Sequence, residues 1–231
     1  MNQLELYTAI GHLRVKKHED GGKYPVIEVN RRDYPVDPQE LAVWSTLCWR
    51  VCDAAEIHAY YHIIYLGNYP PECRTLEGCV LRLETRGLIA KGIGACRFDA
   101  LYDLIRDLYV MPVCEKLSLR WIAFFRMVFT RGVSVRKAAG LFLRDERDMR
   151  ERQVMSLSSQ ALLSTAELIK CVEVGAEDVS TDENLMDALY ADTDTTSDNI
   201  GLQMRASNFC IPVTIAVANL YLRKQIVLQR I

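Results

Sequence analysis

Arg74, Gly78, Leu81, Arg82 and Thr85 share one side of a helix expected over residues 72–86, with Thr75 at its edge. The opposite side is an apolar stripe of Leu76, Cys79, Val80 and Leu83. An outer face with two arginines, a threonine and a glycine has the chemistry to read a DNA major groove. Arginine makes paired hydrogen bonds to guanine, threonine reaches a base or a phosphate, and glycine allows close approach. Lys91 and Arg97 follow shortly after and would meet phosphates. Glu72, Glu77 and Glu84 oppose this by cancelling Arg74, Arg82 and Arg86. Neutralising about six phosphates is worth about three decades of salt-dependent affinity, more than one such helix can supply. A homodimer presenting two helices is therefore required. The candidate DNA-binding set is Arg74, Thr75, Gly78, Arg82, Thr85, Lys91 and Arg97.

Other chemistry is sparse. Of eight cysteines, most lie inside apolar helical stripes, as Cys48 does beside Trp44 and Val51, and no C-x-x-C occurs. Such cysteines act as small core hydrophobes. Cys48 with Cys52 and His58 with His62 are each four apart, a spacing that zinc sites use. His58 and His62, however, fall on the polar side of a helix whose core stripe is Ile57, Tyr60, Tyr61 and Ile64, and no metal site is assigned. There is no glycine-rich phosphate loop, no G-x-S-x-G and no H-E-x-x-H. Asp103 and Asp107 suit a salt-bridged helix surface. No catalytic residue and no cofactor are expected.

Composition sets outer bounds. The 231 residues are 50% hydrophobic and 25% charged with a net charge of −2, an ordinary globular balance without overall attraction to nucleic acid. Met1 to Arg32 lacks the apolar run of a secretory signal, and Phe209 to Leu222, about 14 residues, is too short to span a bilayer. A cytoplasmic location with no membrane partner is expected. Charge is unevenly distributed. Residues 116–150 hold nine Lys or Arg against three acids, whereas Cys171 to Met204 holds nine acids and no base. The acidic stretch reads as a solvated loop near 173–204. Ser134 to Phe142, inside the basic stretch, has a weak helix-turn-helix look but lacks the turn glycine.

These residues need elements to hold them. Tyr24 to Asn30 alternates as an edge strand, because Pro25 cannot donate to a central ladder. Asp37-Pro38-Gln39-Glu40 is a strong helix start. That helix buries Leu41, Trp44, Leu47, Cys48 and Val51, and Asp53 caps a second helix over about 54–66. The third helix, 72–86, stops at Gly87, and Leu88-Ile89 with Gly92 and Gly94 follows as a strand and turn. A linker helix is expected from Phe98 to Val110, a buried helix over Leu117 to Phe129, and one helix from Ser156 to Val174. Pro212 opens a last helix that is apolar all round.

The segment Leu83-Glu84-Thr85-Arg86-Gly87-Leu88-Ile89 resembles the end of the recognition helix and first wing strand of MarR- and PadR-type winged-helix regulators. The resemblance is strong mainly over residues 76–92. It implies a winged helix-turn-helix that binds DNA as a transcription regulator, although the same module also serves to bind peptides or proteins. The expected architecture is mainly α. It comprises an N-terminal extension (1–23), a winged-helix domain of three helices and a small β wing (24–97), and an all-helical domain (98–231). The expected function is a dimeric DNA-binding regulator, paired through its C-terminal helices. The alternative is a non-catalytic peptide- or protein-binding module. DNA reading needs a positive surface on helix 72–86, and partner binding needs a neutral or apolar groove there.

Overall fold

The computed structural model describes residues 3–17, 21–65, 74–113, 147–192 and 194–231, with the side chains of 64 and 65 left out. Helix starts are written plainly in the chain. Asp37 accepts the Glu40 N–H at 2.8 Å, and Glu40 accepts the Asp37 N–H at 3.1 Å, closing a capping box on α1 (Pro38–Leu47). Asp53 and Glu56 do the same for α2 (Ala54–Tyr65), at 2.9 Å each way. The pattern then recurs. Asp148 and Glu151 box the start of α5 (Met149–Gln160), and Ser164 and Glu167 that of α6 (Thr165–Glu173). Asp37, Glu40, Asp53 and Glu56 have the same mutual spacing as Asp148, Glu151, Ser164 and Glu167.

This is the outline of one arrangement built twice. In the first unit β1 (Leu4–Ala9) is the middle strand. It pairs antiparallel with β5 (Ile89–Gly94), from Leu4 opposite Gly94 to Ala9 opposite Ile89. On its other side Tyr7 and Cys52 exchange backbone hydrogen bonds of 2.8 and 3.0 Å. In the second unit β6 (Tyr109–Pro112) lies between β7 (Leu163–Ser164) and β8 (Ile226–Gln229), both antiparallel to it. Each middle strand precedes the first helix of its unit. The last helix before each outer strand, α3 (Leu76–Thr85) in the first unit and α9 (Cys210–Leu222) in the second, runs into it through the same turn. Gly87 (φ +70°) and Lys224 (φ +62°) occupy its left-handed position. Leu88 N–H bonds Leu83 C=O, as Gln225 N–H bonds Leu220 C=O, both at 2.9 Å, a Schellman closure.

The fold is thus mixed α/β and not mainly α. The residues from 98 onward do not form an all-helical domain, because β6, β7 and β8 make a sheet there. The stretch read as one helix from Ser156 to Val174 is α5, a break at Ala161–Leu162, β7 and α6, since the Ser164 box starts a new helix inside it. The linker helix α4 (Arg97–Ile105) ends early, and Tyr109 and Val110 belong to β6. The acidic stretch contains helix α7 (Asp182–Tyr190), a short α8 (Ile200–Gln203) and a 3-10 turn, Met204–Ala206. Residues 117–129 and 134–142 lie outside the described residues.

No wing hairpin follows α3. After β5 the chain enters α4, which lies directly across β5 and β1. Gly92 and Gly94 are glycines for that close approach and not for a turn. A Cβ on Gly92 would stand 2.3 Å from Ala100 O and 2.4 Å from Leu104 N, and one on Gly94 2.3 Å from Ala100 N. A separate hairpin sheet of β2 (His12–Lys17), β3 (Lys23–Val29) and β4 (Arg32–Pro35) lies between β1 and α1 in the chain. Expected at an edge, β3 is the middle strand, and Pro25 is tolerated where the ladder with β4 ends.

The two units share one hydrophobic core. Tyr221 of α9 pins them together. Its hydroxyl accepts the Trp49 N–H at 3.0 Å, donates to Ala9 C=O at 3.3 Å and lies 2.9 Å from Thr8 Oγ1. None of the described helices is long and apolar enough to cross a membrane.

The two kinds of glycine predict different penalties. Gly92→Ala forces backbone apart and should cost about 3 kcal/mol, the upper range for overpacking. Gly87→Ala meets only Arg230 Nη1 at 3.8 Å and should cost about 1 kcal/mol of left-handed strain. Urea unfolding of the two variants reads the difference. Equal losses would contradict the packing role of Gly92.

Candidate functional site

Each polar side chain of the expected DNA-reading set has at least one internal partner. Arg74 pairs with Asp37 at 2.5 Å, and its carbonyl accepts from Gln39 Nε2 at 2.7 Å. Burial raises the Asp37 carboxyl, but the Glu40 amide and the Arg74 guanidinium outweigh it, so Asp37 titrates below its usual range. Thr75 is the N-cap of α3, with its Oγ1 taking the Gly78 N–H at 3.1 Å. Thr85 Oγ1 donates to Leu81 C=O at 2.8 Å within the helix. Arg82 Nε approaches Glu40 Oε1 at 2.5 Å, near enough for charge attraction but poorly directed for a hydrogen bond. Lys91 pairs with Glu5 at 2.7 Å, and Arg97 lies 3.8 Å from Glu56. Arg74, Thr75, Gly78, Arg82 and Thr85 do share the outer side of α3. Lys91 lies elsewhere, on β5, and Arg97 opens α4.

Glu40 is the hub of this arrangement. Its carboxylate is 1% exposed, receives Arg86 Nη1 at 3.0 Å, and holds the N-terminus of α1 against the C-terminus of α3. Opposite charges at these two helix ends also suit the helix dipoles. Arg86 donates further to Pro35 C=O at 2.5 Å. The second unit repeats the pair, with Glu151 (2% exposed) receiving Arg223 Nη1 at 3.0 Å. Arg86 and Arg223 occupy the same place in L-x-x-R, immediately before the left-handed residue.

What stands open among the described residues is on the other flank of α3. Between α2 and α3 lies a groove of about 270 Å³. Its floor is Tyr7 and Lys91, one wall is Ala54, Ile57 and His58, and the other is Leu76, Glu77, Val80, Leu81 and Glu84. Leu81 is 64% exposed. The floor is fixed by charge. The Lys91 ammonium is 5.7 Å above the Tyr7 ring, and Tyr7 Oη donates to Glu5 at 2.7 Å. Hydrogen bonding from Lys91 holds the Glu5 carboxyl below its usual range, and burial pushes the Tyr7 phenol up. Glu77 and Glu84 on the far wall pair with no cation among the described residues, so the rim carries a net negative charge.

In the second unit the same face is closed. By the repeat, Ile57, Leu76, Val80, Lys91 and Tyr7 correspond to Leu168, Val213, Val217, Leu228 and Val110, each no more than 1% exposed. There α6 and α9 pack directly, and the turn bearing Ile200 and Met204 lies across α6. Tyr7, Ile57 and His58 were not among the site residues legible in the sequence. The duplicated capping boxes, D-x-x-E three times and S-x-x-E once, are the signal that would have placed β1 and α2 beside α3.

Three of the described thiols are held protonated by burial. Burial pushes the Cys48 and Cys52 thiols up to about 11 and that of Cys171 to about 12. Cys48 and Cys52 do not join His58 and His62 in any three-ligand group among the described residues. Comparison with protein-family models, with curated proteins and with solved structures finds no match.

Alkylation at pH 8 should mark this division. Among the described thiols Cys96 is exposed and should react first, whereas a thiol near 11 is about one part in a thousand thiolate and reacts slowly. Peptide mapping after iodoacetamide should find Cys48, Cys52 and Cys171 labelled only once the chain is unfolded. Early labelling of Cys171 would contradict the buried core drawn around α6.

Proposed function

We propose that the chain is a non-catalytic binding module whose first unit takes an apolar, basic peptide segment of another protein into the α2–α3 groove. The observation that carries this reading is the contrast across α3. Its arginines are committed to Asp37 and Glu40, while its other flank presents Leu76, Val80 and Leu81 to a groove that no described segment fills. A groove with apolar walls, a few fixed polar groups and a preformed shape is the usual form of a ligand site. Glu77 and Glu84 on the rim favour a cationic ligand, chiefly through association rate and selectivity.

The same facts weigh against reading DNA. A duplex would have to detach each arginine from its acid before gaining a phosphate, and the wing expected to add contacts is absent from the described residues. Pairing of two copies through the C-terminal helices remains a proposal. Its support is the stripe Ile211, Ile215 and Leu222 left exposed on α9.

A peptide array varying apolar and basic residues tests the reading on the intact chain. Wild type should be retained by peptides that combine both residue types, and Leu81→Asp or Val80→Asp should lower retention at least about tenfold, as loss of a buried contact does at interfaces. Arg74→Ala with Arg82→Ala should leave peptide retention unchanged. Salt-dependent retention on duplex DNA that this double variant abolishes, with no peptide retained, would overturn the proposal in favour of a DNA-binding regulator.

A further inference from the structure

His58 and His62 stand one turn apart on the exposed side of α2, and His58 lines the groove. Their Nε2 atoms are 3.2 Å apart, with ring centroids 4.3 Å apart and planes at 63°. The Tyr61 ring packs edge-on against His62 at 5.9 Å. One occupant of the space between two such nitrogens is a proton, shared in an N–H···N bond. A metal ion is the other. Two histidines at i and i+4 on one helix face are the spacing by which a helix presents paired metal ligands. Bonds of about 2.0–2.1 Å from each Nε2 to one ion leave the nitrogens 3.2 Å apart at an N–metal–N angle of about 100°, close to tetrahedral. No change of rotamer is needed.

We propose that His58 and His62 chelate one divalent transition-metal ion at the rim of the groove, with water completing its coordination. The ligand set defines the class of ion. Neutral imidazoles suit Zn(II), Cu(II) and Ni(II), and Cu(II) binds most tightly in the usual order. Mg(II) and Ca(II), which require oxygen donors, are excluded. Two protein ligands make an open site and not a structural one, since structural zinc uses four. Because His58 lines the same groove as Glu77 and Glu84, the ion adds positive charge opposite the acidic wall. The inference does not depend on what the groove binds.

The test uses the metal alone on the intact chain with its accessible cysteines alkylated. Calorimetric titration with Ni(II) or Zn(II) should show one ion per chain and no heat with Mg(II). His58→Ala and His62→Ala should each weaken binding about a hundredfold, the gain expected from tethering a second ligand beside the first. His12→Ala on β2 should leave it unchanged. Circular dichroism confirms that each variant is folded. Affinity retained in either α2 variant would overturn the proposal, as would an alkylated wild type that takes up no ion. Paramagnetic broadening by Cu(II) confined to the His58 and His62 resonances would support it, and broadening centred on His12 would overturn it.

Discussion

The carboxylate of Glu40 is buried between Arg82 and Arg86, and much of the rest follows from that placement. A buried carboxylate is costly unless a cation and hydrogen-bond donors meet it. Glu40 meets that need at Oε2 through the Asp37 amide and Arg86, and at Oε1 through the charge of Arg82 alone. The pair therefore ties the start of the first helix to the end of the third, and so sets the angle at which α3 leaves the bundle and β5 begins. Glu151 and Arg223 do the same in the second unit. Breaking one member leaves a buried charge unmatched, which explains why the L-x-x-R turn is kept even where its left-handed position holds Lys224 in place of glycine.

With α3 held in this way, its two flanks have different uses. The flank bearing Arg74, Arg82 and Thr85 is spent on the fold. That bearing Leu76, Val80 and Leu81 faces α2 across a groove that no described segment fills. The second unit shows what closing this face looks like, with Leu168, Val213 and Val217 fully buried and the insert between α6 and α9 packed across α6. Tyr221 then joins the closed unit to the open one through Thr8, Ala9 and Trp49. Thr8 is next to Tyr7, so the closed unit braces the floor of the groove.

Much of the local structure was legible in the sequence. Asp37-Pro38-Gln39-Glu40 and Asp53 marked the first two helices, and Arg86-Gly87-Leu88-Ile89 marked the end of the third and the strand after it. Pairing and duty were not. Gly92 and Gly94 look like turn glycines because a glycine records the absence of a side chain and not the reason for it. Here the reason is α4, brought across the strand from later in the chain. The strand Leu4–Ala9 is short, and only its partners β5 and Cys52 define it. Ser156 to Val174 kept a helical rhythm across the break because β7 is just two residues long. Charge misled in the same way. Arg74 and Arg82 had the spacing of a reading face, but Asp37 and Glu40, distant in sequence, had already claimed them.

The claim that α3 is tied to its own bundle by this buried pair is tested most directly by a double-mutant cycle on Glu40→Gln and Arg86→Met, followed by urea unfolding. The account predicts that the two changes are coupled by about 2 kcal/mol, as expected for contacting charges of which one is buried. Additive losses, with coupling within about 0.5 kcal/mol of zero, would contradict it and return the arginines of α3 to the surface chemistry their spacing first suggested.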